Sequence, residues 1–345
     1  KTILQVTRGN QTWLWEPFSI RQFGLYHVDR NLYKNISGTA LIFEEVNHTL
    51  EMVIRYAWRT GDQFGFIKTV WLWNFSHLKT PCDVKVLDGI QNILPSNVSA
   101  ATQNLYSCLL NAYKRSELDP ETNLGLYTLN SRLTDLAEPS ESLAANVVFQ
   151  VGLKPQAVLL SANQLDHFRS GSGVETEQEI RGERGAYFIL ANLNFEPDQE
   201  VTWSLAADVN QDHASLVRLR EFLKTPVDAQ QQALEQDIAF STFNLQKIVA
   251  NADGLQVSEN RLASTHHFSN VLFNIMRGGI FVQSYWIEKK DVFDFIRTHQ
   301  RSLTESQTDF LSALPDRFHL SDLRSRVNEL SDPNLRRLLR TYLPL

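Results

Sequence analysis

Between Leu50 and Trp58 apolar residues fall on every second position: Leu50, Met52, Ile54, Tyr56 and Trp58, with Glu51, Arg55 and Arg59 on the other parity. A period of two marks a strand with one face buried and one wet. Thr60-Gly61-Asp62 supplies turn residues, and Phe64 to Trp73 runs back with apolar side chains on both faces. A strand of that kind is covered on both sides. The stretch from Gly38 to Pro95 therefore reads as adjacent strands at the centre of a large antiparallel sheet.

Further strands are expected at Ile3 to Val6, Thr12 to Trp15, Ser19 to Val28 and Asp83 to Leu94. A helix capped by Ser96 or Asn97 should follow, burying Leu105, Leu109 and Ala112 against a sheet and ending before Asp119-Pro120. Strands resume at Leu124 to Leu129, Asn146 to Leu153, Gln156 to Leu160 and Ala186 to Leu193, then across the alternating Val201 to Val209. Gly171 to Gly185, with four glycines and almost no apolar side chains, reads as an exposed loop. This many strands with short turns suits a two-sheet sandwich better than a parallel sheet, which needs a helix at each crossover.

The pattern changes near Pro226. Asp228 to Ala250 is one long helical run, Thr304 with Gln307 forms a capping box, and Asp332-Pro333 places a cap before a proline at the first helical position. Leu335, Leu338, Leu339 and Tyr342 give a final amphipathic face with nothing evident left to cover. The expectation is mainly β with a helical C-terminal part: an antiparallel two-sheet domain over 1–225 and a helical region over 226–345. Lys1 in place of an initiator Met, and an end at Tyr342-Leu343-Pro344-Leu345, suggest a piece of a longer protein.

A net charge of -6 offers no basic field for nucleic acid. No apolar run approaches the roughly 18 residues of a membrane span, and no signal peptide opens the chain. Cys82 and Cys108 lack a CxxC spacing, so two reduced core thiols in a cytoplasmic protein are expected. Five Asn-x-Ser/Thr sequons begin at Asn10, Asn35, Asn47, Asn74 and Asn97, which keeps a secreted glycoprotein open.

The best constellation for chemistry is the stretch from His266 to Tyr285. Phe268, Val271, Leu272 and Ile275 form a core stripe at helical spacing. His267, Asn270, Asn274 and Arg277 form another at i, i+3, i+7 and i+10. A solvated face normally carries Lys and Glu. A His, two amides and an Arg can instead hold planar or bidentate hydrogen bonds. Gly278-Gly279 permits a sharp turn or close ligand approach, and Trp286 could stack on a pyranose ring. The alternative is a buried polar seam. Glu44-Glu45, Asp119 with Glu121, and Glu138 with Glu141 are acidic pairs of the kind glycoside hydrolysis needs, but they are candidates only in being acidic, and each is expected to be a surface or turn residue. His266-His267 with Glu259 could mimic a mutarotase acid–base pair. No Walker A, GxGxxG, HExxH or GxSxG pattern is present, and no cofactor or metal is indicated.

Three phrases carry a resemblance: VLDGIQNILPSNV (86–98), LNAYKRSELDPETNLGLYTLNSRLTDLAEPSES (110–142) and HHFSNVLFNIMRGGIF (266–281). They resemble the N-terminal part of large bacterial carbohydrate-active proteins similar to the cellobiose phosphorylase family. The resemblance implies a galactose-mutarotase-like supersandwich, then a helical linker leading to an (α/α)6 catalytic barrel that these residues do not include. It also implies catalytic groups in that barrel, so that this region has none of its own. Its role would be to shape a saccharide site or a subunit interface, with an oligosaccharide, the barrel and a second copy as partners. A self-sufficient mutarotase-like epimerase and a purely structural interaction domain stand as alternatives.

Overall fold

The computed structural model describes residues 1–76, 81–131, 142–280, 285–306 and 308–344. The first strands are β1 (Thr2–Arg8), β2 (Gln11–Trp15), β3 (Val28–Lys34), β4 (Leu41–Asn47), β5 (Met52–Gly61), β6 (Gly65–Asn74) and β7 (Cys82–Ile93). Two short helices, α1 (Ala100–Leu105) and α2 (Ser107–Asn111), precede β8 (Lys114–Leu118), β9 (Gly125–Leu129), β10 (Ala145–Val151) and β11 (Ala157–Leu159). After α3 (Leu165–Arg169) come β12 (Glu179–Arg181), β13 (Gly185–Phe195) and β14 (Glu200–Gln211). The chain then turns helical: α4 (His213–Leu223), α5 (Val227–Ala250) and α6 (Arg261–Gly278). The last elements are β15 (Trp286–Glu288), α7 (Lys289–His299), α8 (Arg301–Ser306), α9 (Thr308–Ser312), β16 (Arg317–His319), α10 (Leu320–Asn328) and α11 (Pro333–Arg340).

The chain forms two compact units, one of residues 1–35 and 39–241, the other of 36–38 and 242–345. In the first, a five-stranded sheet ordered β11-β13-β7-β1-β2 faces a nine-stranded sheet ordered β12-β8-β9-β10-β14-β6-β5-β4-β3. Every pairing in the two sheets is antiparallel. The expected sandwich is therefore present. Leu4, Val6, Val84 and Ile189 from one sheet meet Met52, Ile54, Val70, Leu72 and Trp203 from the other in the central core. Outside the larger sheet, Ile67, Val147, Phe149 and Ala206 pack on Leu216, Leu219 and Phe222 of α4 and on Leu234 and Ile238 of α5. Outside the smaller sheet, Ile3, Leu87 and Phe188 pack on Leu165 and Phe168 of α3. Both sheets are thus covered on two faces, which explains why β6 and β13 are apolar on both parities.

One turn shows how a polar group fixes this arrangement. The Asp237 carboxylate of α5 accepts from the backbone N–H groups of Asp62, Gln63 and Phe64 at 3.0–3.1 Å. A Cβ on Gly61 would lie 1.9 Å from its Oδ2, so only glycine admits the carboxylate there. One side chain thus accepts from three backbone donors of the β5–β6 turn.

In the second unit, Ile287, Val292, Ile296, Leu303, Leu311, Leu314, Phe318, Leu320, Leu323, Val327, Leu335, Leu339 and Tyr342 make a core of their own. The face of Leu335, Leu339 and Tyr342 is therefore covered, contrary to expectation. Its cover comes from α7, the β15–β16 pair and α10. The tyrosine hydroxyl also donates to Asp291.

Other expectations are corrected. The strand expected over Ser19 to Val28 is absent up to His27, where a single 3-10 turn at Ile20–Gln22 leads into turns, and Ile20 and Phe23 are 86% and 89% exposed. Gly24 takes φ +77°, which a strand cannot accommodate. The helix expected after Ser96 begins at Ala100, capped by Ser99, and breaks at Tyr106. Leu105 and Leu109 are exposed, and the buried side chains of the two helices are Gln103 and Leu110, so no long apolar stripe lies on a sheet. Within Gly171 to Gly185, Glu179–Arg181 pairs as β12 with β8. Cys82 is buried but Cys108 is exposed, so the thiols are not both in a core. The Thr304 capping box rests partly on Gln307, which lies outside the described residues. Among the sequons Asn47 and Asn74 have no exposure, whereas Asn10, Asn35 and Asn97 are exposed. No helix among the described residues is long and apolar enough to cross a membrane.

Candidate functional site

Helix α6 starts where the Asn260 side chain accepts from the Ala263 N–H at 3.0 Å. It ends where Gly279, at φ +77°, donates its N–H to the Ile275 carbonyl at 2.7 Å. Phe268 is buried, and Val271, Leu272 and Ile275 are half-buried beside it. The polar stripe has the opposite fate. Asn270, Asn274 and Arg277 are exposed, and His267 is half-buried with Nε2 at 2.8 Å from the Asp253 carbonyl. The Arg277 guanidinium lies 5.5 Å from the centre of the Phe273 ring, a cation–π distance. Four of the five expected residues thus share one face of one helix.

Trp286 is placed elsewhere, on β15. It pairs with His319 across the strands, its ring edge-on to the imidazole at 5.7 Å, and the Arg317 guanidinium lies 5.4 Å from its ring centre. Its face is thus shared with a cation, and no contact joins it to the α6 stripe among the described residues. His266, His267 and Glu259 form no acid–base pair there either, since the ring of His267 is held by a backbone carbonyl.

The acidic pairs serve the fold. Glu44 and Glu45 are buried rather than on the surface, and as neighbours on β4 they face opposite sides of the sheet. Glu44 takes hydrogen bonds from Arg55, Asn31 and Tyr33. Burial pushes its carboxyl up, but those donors outweigh it and hold the group below the ordinary range. Glu45 accepts from the Trp15 indole, the Phe18 backbone and Arg30 at 2.7–2.8 Å. Asp119 and Glu121 meet Arg220 on α4. Glu138 and Glu141 lie outside the described residues.

Two features escape local sequence patterns. Lys68 Nζ lies 2.5 Å from Asp88 Oδ1 between the two sheets, where Thr2 Oγ1 and the Trp203 indole also donate to that carboxylate. Both residues are buried. Burial pushes the Asp88 carboxyl up, and the Lys68 charge, with the terminal ammonium of Lys1 and the hydrogen bonds from Lys68 and Thr2, holds it below its usual value. A lone Lys in Phe66 to Trp73 and a lone Asp in Val84 to Ile90 were the only signals. The second feature is a cleft of about 630 Å³ at the open edge of the sandwich, lined by Arg8, Trp13, His48, Thr49, Leu50, Glu51 and Pro81. Among the described residues no group of three or more His, Cys, Asp or Glu is placed to hold a metal.

The family model of glycoside hydrolase family 149 insertion domain 1 matches residues 281–344, a range that includes the core residues Ile287 to Tyr342. No curated protein sequence matches the chain significantly. Among solved structures, a bacterial glucoamylase complexed with acarbose is similar at 10% identity and TM-score 0.41, over 77% of this chain and 34% of that one. A kojibiose phosphorylase from the human microbiome, described as putative, is similar at 9% identity and TM-score 0.32, over 67% of this chain and 27% of that one. A family GH92 alpha-mannosidase from Bacteroides thetaiotaomicron is similar at 6% identity and TM-score 0.30, over 78% and 30% of the two chains. The chain thus spans 27–34% of the length of these proteins. Residues 281–344 are similar to a glycoside hydrolase insertion domain, and the likeness to a family rests on that segment alone.

Proposed function

We propose that this chain is an accessory, non-catalytic module of a larger glycoside hydrolase or phosphorylase, and that the exposed face of α6 forms one wall of a saccharide site. In this reading the sandwich over 1–225, of the mutarotase-like type, is the scaffold. The region over 226–345 docks a catalytic (α/α)6 domain of the same protein. The observation that carries the proposal is the exposure of Asn270, Asn274 and Arg277 on one face, just ahead of the segment that matches a glycoside hydrolase insertion domain. Amides and a guanidinium donate paired hydrogen bonds to vicinal hydroxyls, and amide oxygens accept them. Trp286 enters only as an outlying platform, at 46% exposure. A second copy of the chain is a further partner in this reading.

The test is calorimetric titration of the 345-residue chain with gluco- and galacto-configured di- and oligosaccharides, beside Arg277→Ala and Asn274→Ala variants. Binding weakened about tenfold by either variant supports the α6 wall. Binding that both variants leave unchanged removes it.

A further inference from the structure

The cleft at the sandwich edge lies where the β1–β2 turn of the smaller sheet meets the β4–β5 turn of the larger one. Arg8, the last residue of β1, crosses between them. Its guanidinium donates to the Leu50 carbonyl at 2.7 Å, to Asn74 Oδ1 at 2.8 Å, to Ser76 Oγ at 3.0 Å and to Glu51 Oε2 at 3.4 Å. Glu51 is anchored through that one oxygen, which Ser76 also meets at 2.8 Å. It sits at φ +53°, a left-handed conformation that favours glycine or asparagine at the end of a hairpin loop. A carboxylate is thus held at a position where the backbone alone would select a different residue.

The cleft also holds unused hydrogen-bonding capacity. Among the described residues, Glu51 Oε1 has no partner, nor has the indole N–H of Trp13. His48 is fixed through Nε2 at 2.8 Å from Asp29 Oδ2, its ring 4.8 Å from that of His27, and its Nδ1 is unpartnered among the described residues. Glu51 Oε1, His48 Nδ1 and the half-exposed indole of Trp13 with its N–H therefore belong to residues lining one cleft, together with the apolar Leu50 and Pro81. The volume of about 630 Å³ falls within the ~300–1,000 Å³ of small-ligand sites.

We infer that this cleft binds a neutral pyranoside, with the sugar's C–H face on Trp13 and its hydroxyls on Glu51 Oε1 and His48 Nδ1. With its Nε2 turned to the Asp29 carboxylate, His48 offers Nδ1 as an acceptor, so Glu51 Oε1 and His48 Nδ1 each take the O–H of a different sugar hydroxyl. A phosphorylated or acidic ligand fits poorly, because the Arg8 charge is already matched by Glu51 and the free oxygen is anionic. A cation fits poorly for the converse reason, since Arg8 lies against the same carboxylate. The inference rests on the saccharide reading given above but uses no residue of α6.

The experiment titrates the 345-residue chain with neutral gluco-, galacto- and manno-configured oligosaccharides by calorimetry, and follows the Trp13 indole N–H by NMR. Trp13→Ala and Glu51→Gln are compared with the parent after circular dichroism confirms their fold. Glu51→Gln keeps the shape of the loop, so it tests the cleft even if the alanine variant does not fold. The expected result is a displaced indole signal and a dissociation constant raised about tenfold or more in each folded variant. Binding that survives both substitutions overturns the inference. Arg277→Ala, titrated in parallel, then reads α6 separately: a loss there alone leaves the α6 wall standing and the cleft refuted. An absence of heat with every sugar refutes both sites.

Discussion

The two units of this chain organise their interiors differently. The β unit admits charge: Lys68 and Asp88 pair between the sheets, Glu45 sits under Trp15, and Asp237 gathers three backbone donors. The C-terminal cluster from Ile287 to Tyr342 is built from apolar side chains, with the Tyr342 hydroxyl tied to Asp291 at its margin. A two-sheet interior must specify which strands face each other and in what register, and a one-residue slip would turn every side chain over. An ion pair between strands tolerates no slip, because either charge left alone would be buried without a partner. Helices whose stripes close on a small core need less such selection, since the stripe itself sets the facing side.

The largest expected effect sharpens this contrast. Asp88→Asn leaves Lys68 charged inside the sandwich and should cost about 3–5 kcal/mol at neutral pH, measured by urea unfolding. The Asp88 carboxyl lies below its usual value in the folded chain, so its contribution is present above the unfolded pKa of about 4 and is lost as pH falls through the folded value. The gap between parent and variant should therefore narrow on acidification below about pH 4. A gap of the same size at every pH would mean that the pair does not act through charge.

Next in size, Leu335→Ala opens a cavity at a position with no exposure and should cost about 2–5 kcal/mol. Hydrogen exchange should show the loss in α7, α10 and α11, with β7 and β13 still protected. Equal loss in those strands would erase the contrast between the two interiors. The smallest effect is expected at Asp332, whose Oδ1 accepts from the N–H groups of Asn334 and Leu335 at 2.8 and 3.0 Å. Asp332→Ala should cost about 1 kcal/mol, read from the midpoint of thermal unfolding.

The contrast also separates what was legible in the sequence from what was not. Strands β5 and β14 follow from alternation, and β6 from an apolar run that returns after a turn, because the signal and the structure are both local. Ile20, Phe23 and Leu25 mislead for the same reason: they are apolar and near a strand, yet they lie in an exposed turn. The final helix seemed to lack cover because its partners begin some fifty residues earlier, around Ile287 and Val292. On α6 the polar stripe could be read from spacing, but not that Asn270, Asn274 and Arg277 are exposed while His267 is half-buried. Trp286 could not be placed that way, since its partners His319 and Arg317 come from the far strand of a pair. The Trp13 cleft was out of reach for a similar reason. Arg8 and Trp13 flank the β1–β2 turn, Glu51 lies between β4 and β5, and Ser76 follows β6, and no periodicity relates them.

The burial of Asn47 and Asn74 has a consequence for any cell that secretes this chain. An enzyme transferring glycans to Asn-x-Ser/Thr would meet five acceptors on the nascent polypeptide but three on the folded one. A glycan on Asn74 would occupy the side chain that receives Arg8, and one on Asn47 would occupy the side chain that receives the Leu50 N–H. Occupancy at these two positions would therefore act as a clock, marking molecules in which modification outran the closing of the sandwich.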